Sequence, residues 1–469
     1  MRLPWAAQGL ALLASLLLTS GCADRAVRPQ LAQQQSLVPP ATGALYTTPE
    51  GARLSSGALY QVAVMPEKWN GDIIVYVPGY HDPSRSPQLP GDFATSAISK
   101  LLLPLGYAYA STSFRGTGLI QPDWIEGDLL ELVSTAKSTL TRVAGRDSRY
   151  VYMTGGSQGG LATVQAVERH PEVFSGGLAA CGPIGDYARQ IQYVGDFRVV
   201  FDEYFHDVIP GWPVWREDAS SPSPGAVDPS TWGAVDSAAA MAITDPRNAE
   251  RMAQVLAVTH APIDSRDPAT IPATALDILW YSFRGTNDAI AKLGSPSYSN
   301  VGRSYQGSSD DAALNAGVQR FDFAADPSRL AALQTQARLR RPLVTIHTTG
   351  DPVVPVWHEQ LYARRLPFLS RLLFTPIKIQ RYGHDNFTEA EILAGFAVLV
   401  LRVSGADLVV PESILPDPSA RTVFTSLAES YGARPVLISN VTPRSAAPAR
   451  LSAASSAAFG SRCRRPTRP

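Results

Sequence analysis

Residues 155–160 read Gly155-Gly156-Ser157-Gln158-Gly159-Gly160 and place a serine inside a G-x-S-x-G pattern. A strand-like run, 149–154, precedes the pattern, and a helix-like run, 161–168, follows it. This strand–turn–helix context is that of a nucleophile elbow, a sharp turn that exposes the serine hydroxyl. Because such a turn needs a positive φ and close backbone contacts, glycines are expected on both sides of the serine. The stretch therefore predicts a nucleophile at Ser157.

A serine hydroxyl is a weak nucleophile until a base takes its proton, and an acid must orient that base. Asp351 follows a buried strand-like run, 342–349, and lies on a turn. His384 follows a second strand-like run, 377–382, and lies on a loop before a helix. The sequence therefore predicts a triad of Ser157, Asp351 and His384.

Each of these assignments has an alternative. Asp351 precedes Pro352 and is also a typical turn or helix cap. Asp385 is the rival acid, but a residue adjacent to the base in sequence is expected to point away from it. Among the seven histidines, His81 is the rival base because it lies near a predicted active-site loop. The position of Asp351 between two strands favours the catalytic assignment.

The chain resembles the α/β-hydrolase superfamily over about residues 55–403. The resemblance depends on the elbow at Ser157 and on the chain order Ser157, Asp351, His384, which this superfamily uses. More narrowly, the chain is similar to secreted bacterial esterase-like and peptidase-like hydrolases. The superfamily resemblance implies an α/β-hydrolase fold, with a mostly parallel, doubly wound sheet and a large, mainly helical cap insertion over 183–340.

The attacked carbonyl oxygen becomes negative, and N–H donors that stabilise it are worth about 3 kcal/mol each. The resemblance implies one donor at the backbone N–H of Gln158 and another in the loop after strand 72–77. That loop begins Pro78-Gly79-Tyr80, where many superfamily members have His-Gly. We therefore expect the second donor to be the backbone N–H of Tyr80.

The apolar runs around these motifs predict one wound sheet, because near-continuous apolar strands suit a sheet covered on both faces. The predicted strands are 59–66, 72–78, 107–113, 149–155, 175–181, 342–349 and 376–382. The predicted helices are 91–104, 125–143, 160–170, 357–365 and 388–403. We place the hydrolase core at residues 51–182 and 341–410 and a C-terminal extension at 411–443.

The alternation of strand and helix stops between residues 183 and 340. Most aromatic side chains there are expected to pack together, and a few to line an apolar pocket. The polar run 308–311 fits either a surface loop or the rim of that pocket. The aromatic residues are Tyr193, Phe197, Phe201, Tyr204, Phe205, Trp212, Trp215, Trp232, Trp280, Tyr281 and Phe283.

The N-terminal residues 1–22 predict a secretion signal, with Arg2 before an apolar stretch too short to span a membrane. Its end resembles a bacterial lipobox, which implies lipidation of Cys22, although Thr19 stands where leucine is usual. Simple cleavage and release is the alternative. Residues 23–50 predict a tether, since they have little to bury. The protein is thus expected to be exported, either anchored in the cell envelope or secreted.

Composition and the absence of certain motifs argue against several other classes of protein. With 41 basic and 41 acidic residues, the chain has no excess of positive charge that would bind a polyanion, so no nucleic-acid partner is expected. Cys181 and Cys463 give no disulfide framework, and residues 444–469 predict a disordered tail. The sequence contains no H-E-x-x-H motif and no dinucleotide or P-loop fingerprint, so no metal and no cofactor are expected.

These observations predict an exported serine hydrolase that cleaves a small or medium apolar carboxylic ester through an acyl-enzyme. Two alternatives stay open. One is a peptidase or amidase acting on short or proline-containing peptides, with Glu203, Asp207 or Asp311 anchoring the substrate terminus. The other is a non-catalytic surface binding protein on a hydrolase fold. The sequence does not predict an oligomeric state.

Overall fold

The computed structural model describes residues 44–90, 97–206, 208–209, 232–295, 297–323 and 327–439. The predicted signal segment with Cys22, most of the predicted tether and the predicted tail lie outside the described residues. So do Asp207, Trp212 and Trp215 in the insertion.

The core is an eight-stranded sheet in the order β1-β2-β4-β3-β5-β6-β7-β8. From β4 to β8 all neighbouring strands are parallel, whereas β2 is antiparallel to both β1 and β4. The strands are β1 (Tyr46–Thr47), β2 (Tyr60–Val64), β3 (Ile73–Val77), β4 (Ala108–Thr112), β5 (Val151–Gly156), β6 (Gly176–Ala180), β7 (Leu343–Gly350) and β8 (Phe374–Tyr382).

Helices cover both faces of this sheet. The core helices are α1 (Ala97–Leu102), α2 (Pro122–Trp124), which continues as a π-helical turn (Ile125–Leu129), α3 (Leu130–Ala144), α4 (Gln158–Arg169), α11 (Trp357–Arg365), α12 (Phe368–Arg371) and α13 (Glu389–Ser404). Alternate residues of β3 enter opposite cores: Ile73 and Val75 pack on the side of α3 and α4, and Ile74 on the side of α13. This two-sided burial explains why the strand is apolar throughout.

Residues 183–340, here called the insertion, are mainly helical. Its helices are α5 (Tyr187–Tyr204), α6 (Trp232–Thr244), α7 (Ala249–Thr259), α8 (Thr270–Leu293), α9 (Asp311–Gly317) and α10 (Pro327–Ala332). Most of the insertion's aromatic side chains pack in a separate hydrophobic cluster that includes Phe197, Phe201 and Trp232. None of the described helices is long and apolar enough to cross a membrane.

The predicted α/β fold class is confirmed: a mostly parallel sheet with helices on both faces and a large, mainly helical insertion. The bounds of all seven predicted strands lie within two residues of the observed ones. One segment differs from the prediction. Tyr46–Thr47 already pairs with β2, so the sheet begins inside the segment assigned to the tether.

The described part of the C-terminal extension runs through residue 439. It contains α14 (Pro418–Ser430), which packs on α13 through Phe424 and Ala428. A small parallel pair, β9 (Val409–Pro411) and β10 (Val436–Ile438), links its two ends. The extension therefore completes the core on the α13 face.

Candidate active site

Ser157 lies between β5 and α4 with φ 55° and ψ −125°. This backbone region is strained for a residue with a side chain, and the predicted positive φ is therefore confirmed. The surrounding structure fixes the turn, because the Ser157 N–H donates to the Ala180 carbonyl at 2.8 Å. The turn leaves Ser157 at the carboxyl end of the parallel strands, the edge where α/β sheets bind ligands.

The neighbouring glycines allow backbones to meet at this turn. A Cβ atom at Gly155 would lie 2.6 Å from the carbonyl carbon of Gly159. A Cβ atom at Gly159 would lie 2.6 Å from the Pro78 carbonyl oxygen. No real Cβ contact is that short, so α4 can reach β5 and the loop after β3 only because these residues are glycine.

Asp351 and His384 are in direct contact. The Asp351 Oδ2 atom lies 2.7 Å from His384 Nδ1. The other carboxylate oxygen, Oδ1, accepts backbone N–H bonds from Val353 and Val354 at 2.9 Å each. Asp351 is fully buried, and its carboxylate is therefore held in one orientation against the imidazole.

Electrostatics keep Asp351 ionised. Burial raises the pKa of this carboxyl, but the charges and hydrogen bonds of His384 and His347 hold its pKa well below the usual range. Burial lowers the pKa of His384, but the charge and hydrogen bond of Asp351, together with the charge of Asp385, outweigh it and raise the His384 pKa above its ordinary value. The pair is suited to an imidazole that gains a proton during a reaction.

A second histidine, which the sequence placed in a strand, also contacts the acid. His347 Nε2 lies 3.6 Å from Asp351 Oδ2 and 2.7 Å from the Val354 carbonyl oxygen. His347 Nδ1 lies 3.1 Å from Glu359 Oε1. Asp351 thus has two histidines, His384 and His347, beside the same carboxylate oxygen. The rival base His81 lies exposed on the loop after β3.

Asp385 does not point away from His384, contrary to expectation. Its Oδ2 atom lies 3.8 Å from His384 Nε2. A φ of 50° at Asp385 turns the chain back and brings the carboxylate towards Gly156, where a Cβ atom would lie 2.7 Å from Oδ2. Asp351 contacts Nδ1 and Asp385 approaches Nε2, so the two acids occupy opposite sides of the ring.

The structure does not show a hydrogen bond between Ser157 and His384. The Nε2 atom of His384 is buried and has no hydrogen-bond partner among the described residues. Catalytic hydrogen bonds are often longer without substrate than with it. The structure thus brings Asp351 and His384 together and places Ser157 at the same sheet edge.

Both predicted oxyanion donors belong to backbone segments next to Ser157. Gln158 is the first residue of α4, so its N–H has no partner within the helix. In the loop after β3, a Cβ atom at Gly79 would lie 3.2 Å from the Ser157 Cβ, which places Tyr80 immediately beside the nucleophile. The Gln158 side chain, with its amide oriented to satisfy both groups, donates to the Gly118 carbonyl at 3.0 Å and accepts from Ile120 N–H at 2.8 Å.

Ser157 and Gln158 open into a cavity of about 110 Å³ between the core and the insertion. Among the described residues, no Asp, Glu, Lys, Arg or His lines it. Its wall consists of Tyr80, Leu119, Pro183, Tyr187, Gln190, Ile191, Val194, Gly195, Tyr281, Gly285, Thr286, Ala289, Tyr298, Phe323, Val353 and Val354. The site therefore presents an uncharged, largely apolar surface.

Helix α5 of the insertion holds the loop after Asp351. The Tyr193 hydroxyl donates to the Pro352 carbonyl at 2.7 Å. The Gln190 amide donates to the Val353 carbonyl at 2.8 Å. Of the aromatic residues that the sequence singled out, Tyr193 therefore acts on the acid loop and Tyr281 lines the cavity, while most others pack together.

The acids suggested as peptide anchors lie elsewhere. Glu203 lies close to Gly317 and to a separate surface cleft with His206 and Arg251. Asp311 accepts hydrogen bonds from Ser308, and Asp310 caps α9, so the run 308–311 is a surface turn and helix start. Neither Glu203 nor Asp311 lines the cavity beside Ser157.

In the described part of the chain, two trios of side chains bring possible metal-ligand atoms within 4.8 Å of one another. They are Cys181 with His384 and Asp385, and Cys181 with His347 and Asp351. Metal binding needs the thiolate. Burial, together with the charges of Asp351 and Asp385, raises the pKa of Cys181 well above its ordinary value. The thiol therefore resists ionisation, and the absence of a metal and of a cofactor stays a prediction.

No protein-family model and no curated protein matches this sequence. Solved structures with a similar arrangement include feruloyl esterase B from Aspergillus oryzae, at 12% identity over 73% of this chain and 79% of that one, with a TM-score of 0.40. A monoacylglycerol lipase from Paleococcus ferrophilus is 13% identical over 74% of this chain and 99% of that one, with a TM-score of 0.34. The acylaminoacyl peptidase of Pyrococcus horikoshii is 12% identical over 70% of this chain and 35% of that one, with a TM-score of 0.34.

Proposed function

We propose that the protein is a serine hydrolase in which Ser157, His384 and Asp351 form the catalytic triad. The observation that carries the proposal is the 2.7 Å contact between Asp351 and His384 at the edge where Ser157 occupies its strained turn. The oxyanion donors are the backbone N–H groups of Gln158 and Tyr80. Residues 183–340 act as a cap over the nucleophile.

The reaction begins when the Ser157 Oγ attacks the substrate carbonyl carbon and its proton moves to His384 Nε2. Asp351 stabilises the imidazolium through Nδ1, while the Gln158 and Tyr80 N–H groups bind the oxyanion. The tetrahedral intermediate collapses, and His384 returns the proton to the leaving oxygen. Water then gives a proton to His384 and attacks the acyl-Ser157 ester. The second tetrahedral intermediate collapses as His384 returns that proton to Ser157 Oγ, which releases the carboxylic acid and restores the enzyme. Substrate binding brings Ser157 Oγ within hydrogen-bond reach of Nε2.

A carboxylic ester is the proposed substrate because the cavity beside Ser157 is lined by uncharged, mostly apolar side chains. A peptide terminus carries a charge, and burying that charge without a partner is costly. Neither Glu203 nor Asp311 lies at this cavity, so neither supports recognition of a terminus. An apolar acyl or alcohol group matches the wall.

Labelling with a fluorophosphonate followed by peptide mapping tests this proposal. We expect one adduct, on Ser157, and turnover of p-nitrophenyl esters. Ser157→Ala should abolish both the adduct and the ester turnover while leaving the thermal unfolding curve unchanged. The control variant Ser237→Ala, at an exposed serine, should change neither the adduct nor the turnover. Turnover of aminoacyl p-nitroanilides without ester turnover would replace the esterase by a peptidase. No adduct on the folded protein would favour a binding protein.

We also propose that the protein is exported and attached to a membrane through a lipidated Cys22, since residues 1–22 resemble a lipoprotein signal. The test is mass spectrometry of the N-terminal peptide of the protein expressed in bacteria, with Cys22→Ala as control. A diacylglyceryl adduct on Cys22 supports anchoring. Cleavage without an adduct supports release, and an uncleaved N-terminus contradicts export.

A further inference from the structure

One wall of the cavity is a stripe along α8 formed by Tyr281, Gly285 and Ala289. Residues four apart lie on the same side of a helix, so these three positions face the cavity together. Gly285 lies between the tyrosine and the alanine, well inside α8 (Thr270–Leu293). A side chain at this position would therefore extend into the space that Ser157 and Gln158 share.

Packing does not require glycine at position 285. A Cβ atom there would meet no atom within 4 Å beyond its chain neighbours and the backbone of its own helix. Gly195, the cavity-lining glycine on α5, differs, because a Cβ atom there would lie only 2.9 Å from Cγ of the Tyr298 ring. Glycine inside a helix destabilises it relative to alanine. Gly285 thus weakens α8 without relieving a clash, and what it provides is empty volume.

We infer that Gly285 sets the size of the substrate group that binds beside Ser157, and that this group is compact. The cavity of about 110 Å³ is smaller than the 150 Å³ cavity that holds a benzene ring. It accommodates a group of roughly three to five carbon atoms. The inference rests on the proposed function and adds the substrate class, esters with a short or branched apolar group.

Two variants and a control test this inference. Gly285→Ala and Gly285→Val fill the cavity in steps. Gly233→Ala is the matched control, because a Cβ atom at this exposed position of α6 also meets nothing within 4 Å and Gly233 does not line the cavity. The substrates are p-nitrophenyl esters from acetate to octanoate, and acetate esters of alcohols of graded length.

In wild-type protein we expect kcat/KM to fall beyond about five carbons in one of the two series. Gly285→Val should lower kcat/KM for the four-carbon member of that series at least about tenfold and for the two-carbon member less than about threefold. Gly285→Ala should show a smaller shift, with a Tm no lower than wild type, and Gly233→Ala should show none. Unchanged profiles in both series for Gly285→Val, in an enzyme that hydrolyses esters and is labelled at Ser157, would overturn this inference alone. Absence of both labelling and ester turnover in the wild type would overturn the proposed function, and the inference with it.

Discussion

His347 lies behind the proposed acid, with its Nε2 atom 3.6 Å from Asp351 Oδ2, and it is fully buried. Burial lowers the pKa of His347, but hydrogen bonds and charges from Asp351 and Glu359 outweigh it and raise its pKa to about 10. An imidazolium between two carboxylates neutralises charge that burial would otherwise make costly. His347 therefore acts as a support for the orientation of Asp351.

His347→Gln should destabilise the protein by about 3 kcal/mol, because it leaves Asp351 and Glu359 buried without their shared cation. The folded-state pKa of His347 lies above its unfolded value. The stability that charged His347 adds to the wild type is therefore complete below pH 6.5 and is lost as the pH rises through about 10. Urea denaturation at pH 6.5 and pH 10 measures it. The partly exposed His170→Gln, which loses contacts with Glu126 and Glu172, is the control and should cost less than about 1 kcal/mol. An equal loss at both pH values would contradict a charged His347.

Asp351 and Asp385 should have different effects on the pH dependence of kcat/KM. His384 must be neutral to accept a proton, and its raised pKa places the acid limb above the ordinary value of 6.5. The charge of Asp351 is the largest cause that raises this pKa, followed by its hydrogen bond and by Asp385, while His347 opposes them. Asp277 on α8 also interacts with His384 by charge.

Asp351→Asn should reduce kcat about 10⁴-fold, because the imidazole loses the partner that orients it. Asp385→Asn should retain most activity and move the acid limb to lower pH, since the charge that it removes favours the imidazolium. The pH profiles of kcat/KM for the two variants show which of the two carboxylates is the acid of the triad. If Asp385→Asn were the inactive variant and Asp351→Asn the active one, the roles would be reversed.

Alanine substitutions at the two elbow glycines Gly159 and Gly156 should reduce the stability of the protein by different amounts. Gly159→Ala places a methyl group against the carbonyl oxygens of Val77 and Pro78, which are backbone atoms and cannot move aside. We expect a loss of about 1–3 kcal/mol of stability, measured by urea denaturation. Gly156→Ala meets the end of the Asp385 side chain, which can rotate, so its stability loss should be smaller. Similar losses for both variants would contradict this difference.

Much of the fold could be predicted because its signals are local. The strands are apolar runs bounded by turns, and β7 was predicted at 342–349 and observed at Leu343–Gly350. The positive φ of Ser157 followed from the glycines around it. The helix predicted at 388–403 begins at a local signal of the same kind, the capping box of Thr388 and Glu391 that starts α13.

The contacts that depend on how distant segments meet could not be predicted. Strand periodicity placed His347 on β7 but did not show that the turn after β7 folds Asp351 back onto it. Asp385 was expected to face away, and only its φ of 50° reverses its direction. The cavity wall comes from α5 and α8, whose relative position no local pattern encodes. The signal that could have indicated Gly285 was a glycine inside a long helix-like run.

Asp288 on α8 connects the insertion to the loop that holds Gln158. Its Oδ2 atom accepts the Leu119 N–H at 2.5 Å, and its Oδ1 lies 2.9 Å from Lys292 Nζ. Gly118 and Ile120, on either side of Leu119, bind the Gln158 side chain. A chain of hydrogen bonds thus runs from the insertion to the residue that provides a proposed oxyanion donor.

Asp288→Ala should free this loop and lower kcat roughly 10- to 100-fold, because a small displacement of the oxyanion donor weakens transition-state binding. It should also cost about 1–3 kcal/mol, since the Leu119 N–H and Lys292 lose a buried partner. Asp288→Asn keeps an acceptor for Leu119 and should retain more of kcat than the alanine variant. Asp310→Ala, which removes only the cap of α9, should reduce stability by about 1 kcal/mol without changing kcat. Steady-state kinetics and urea denaturation of the three variants separate the effect on kcat from the effect on stability. A wild-type kcat in Asp288→Ala would show that the insertion does not position Gln158.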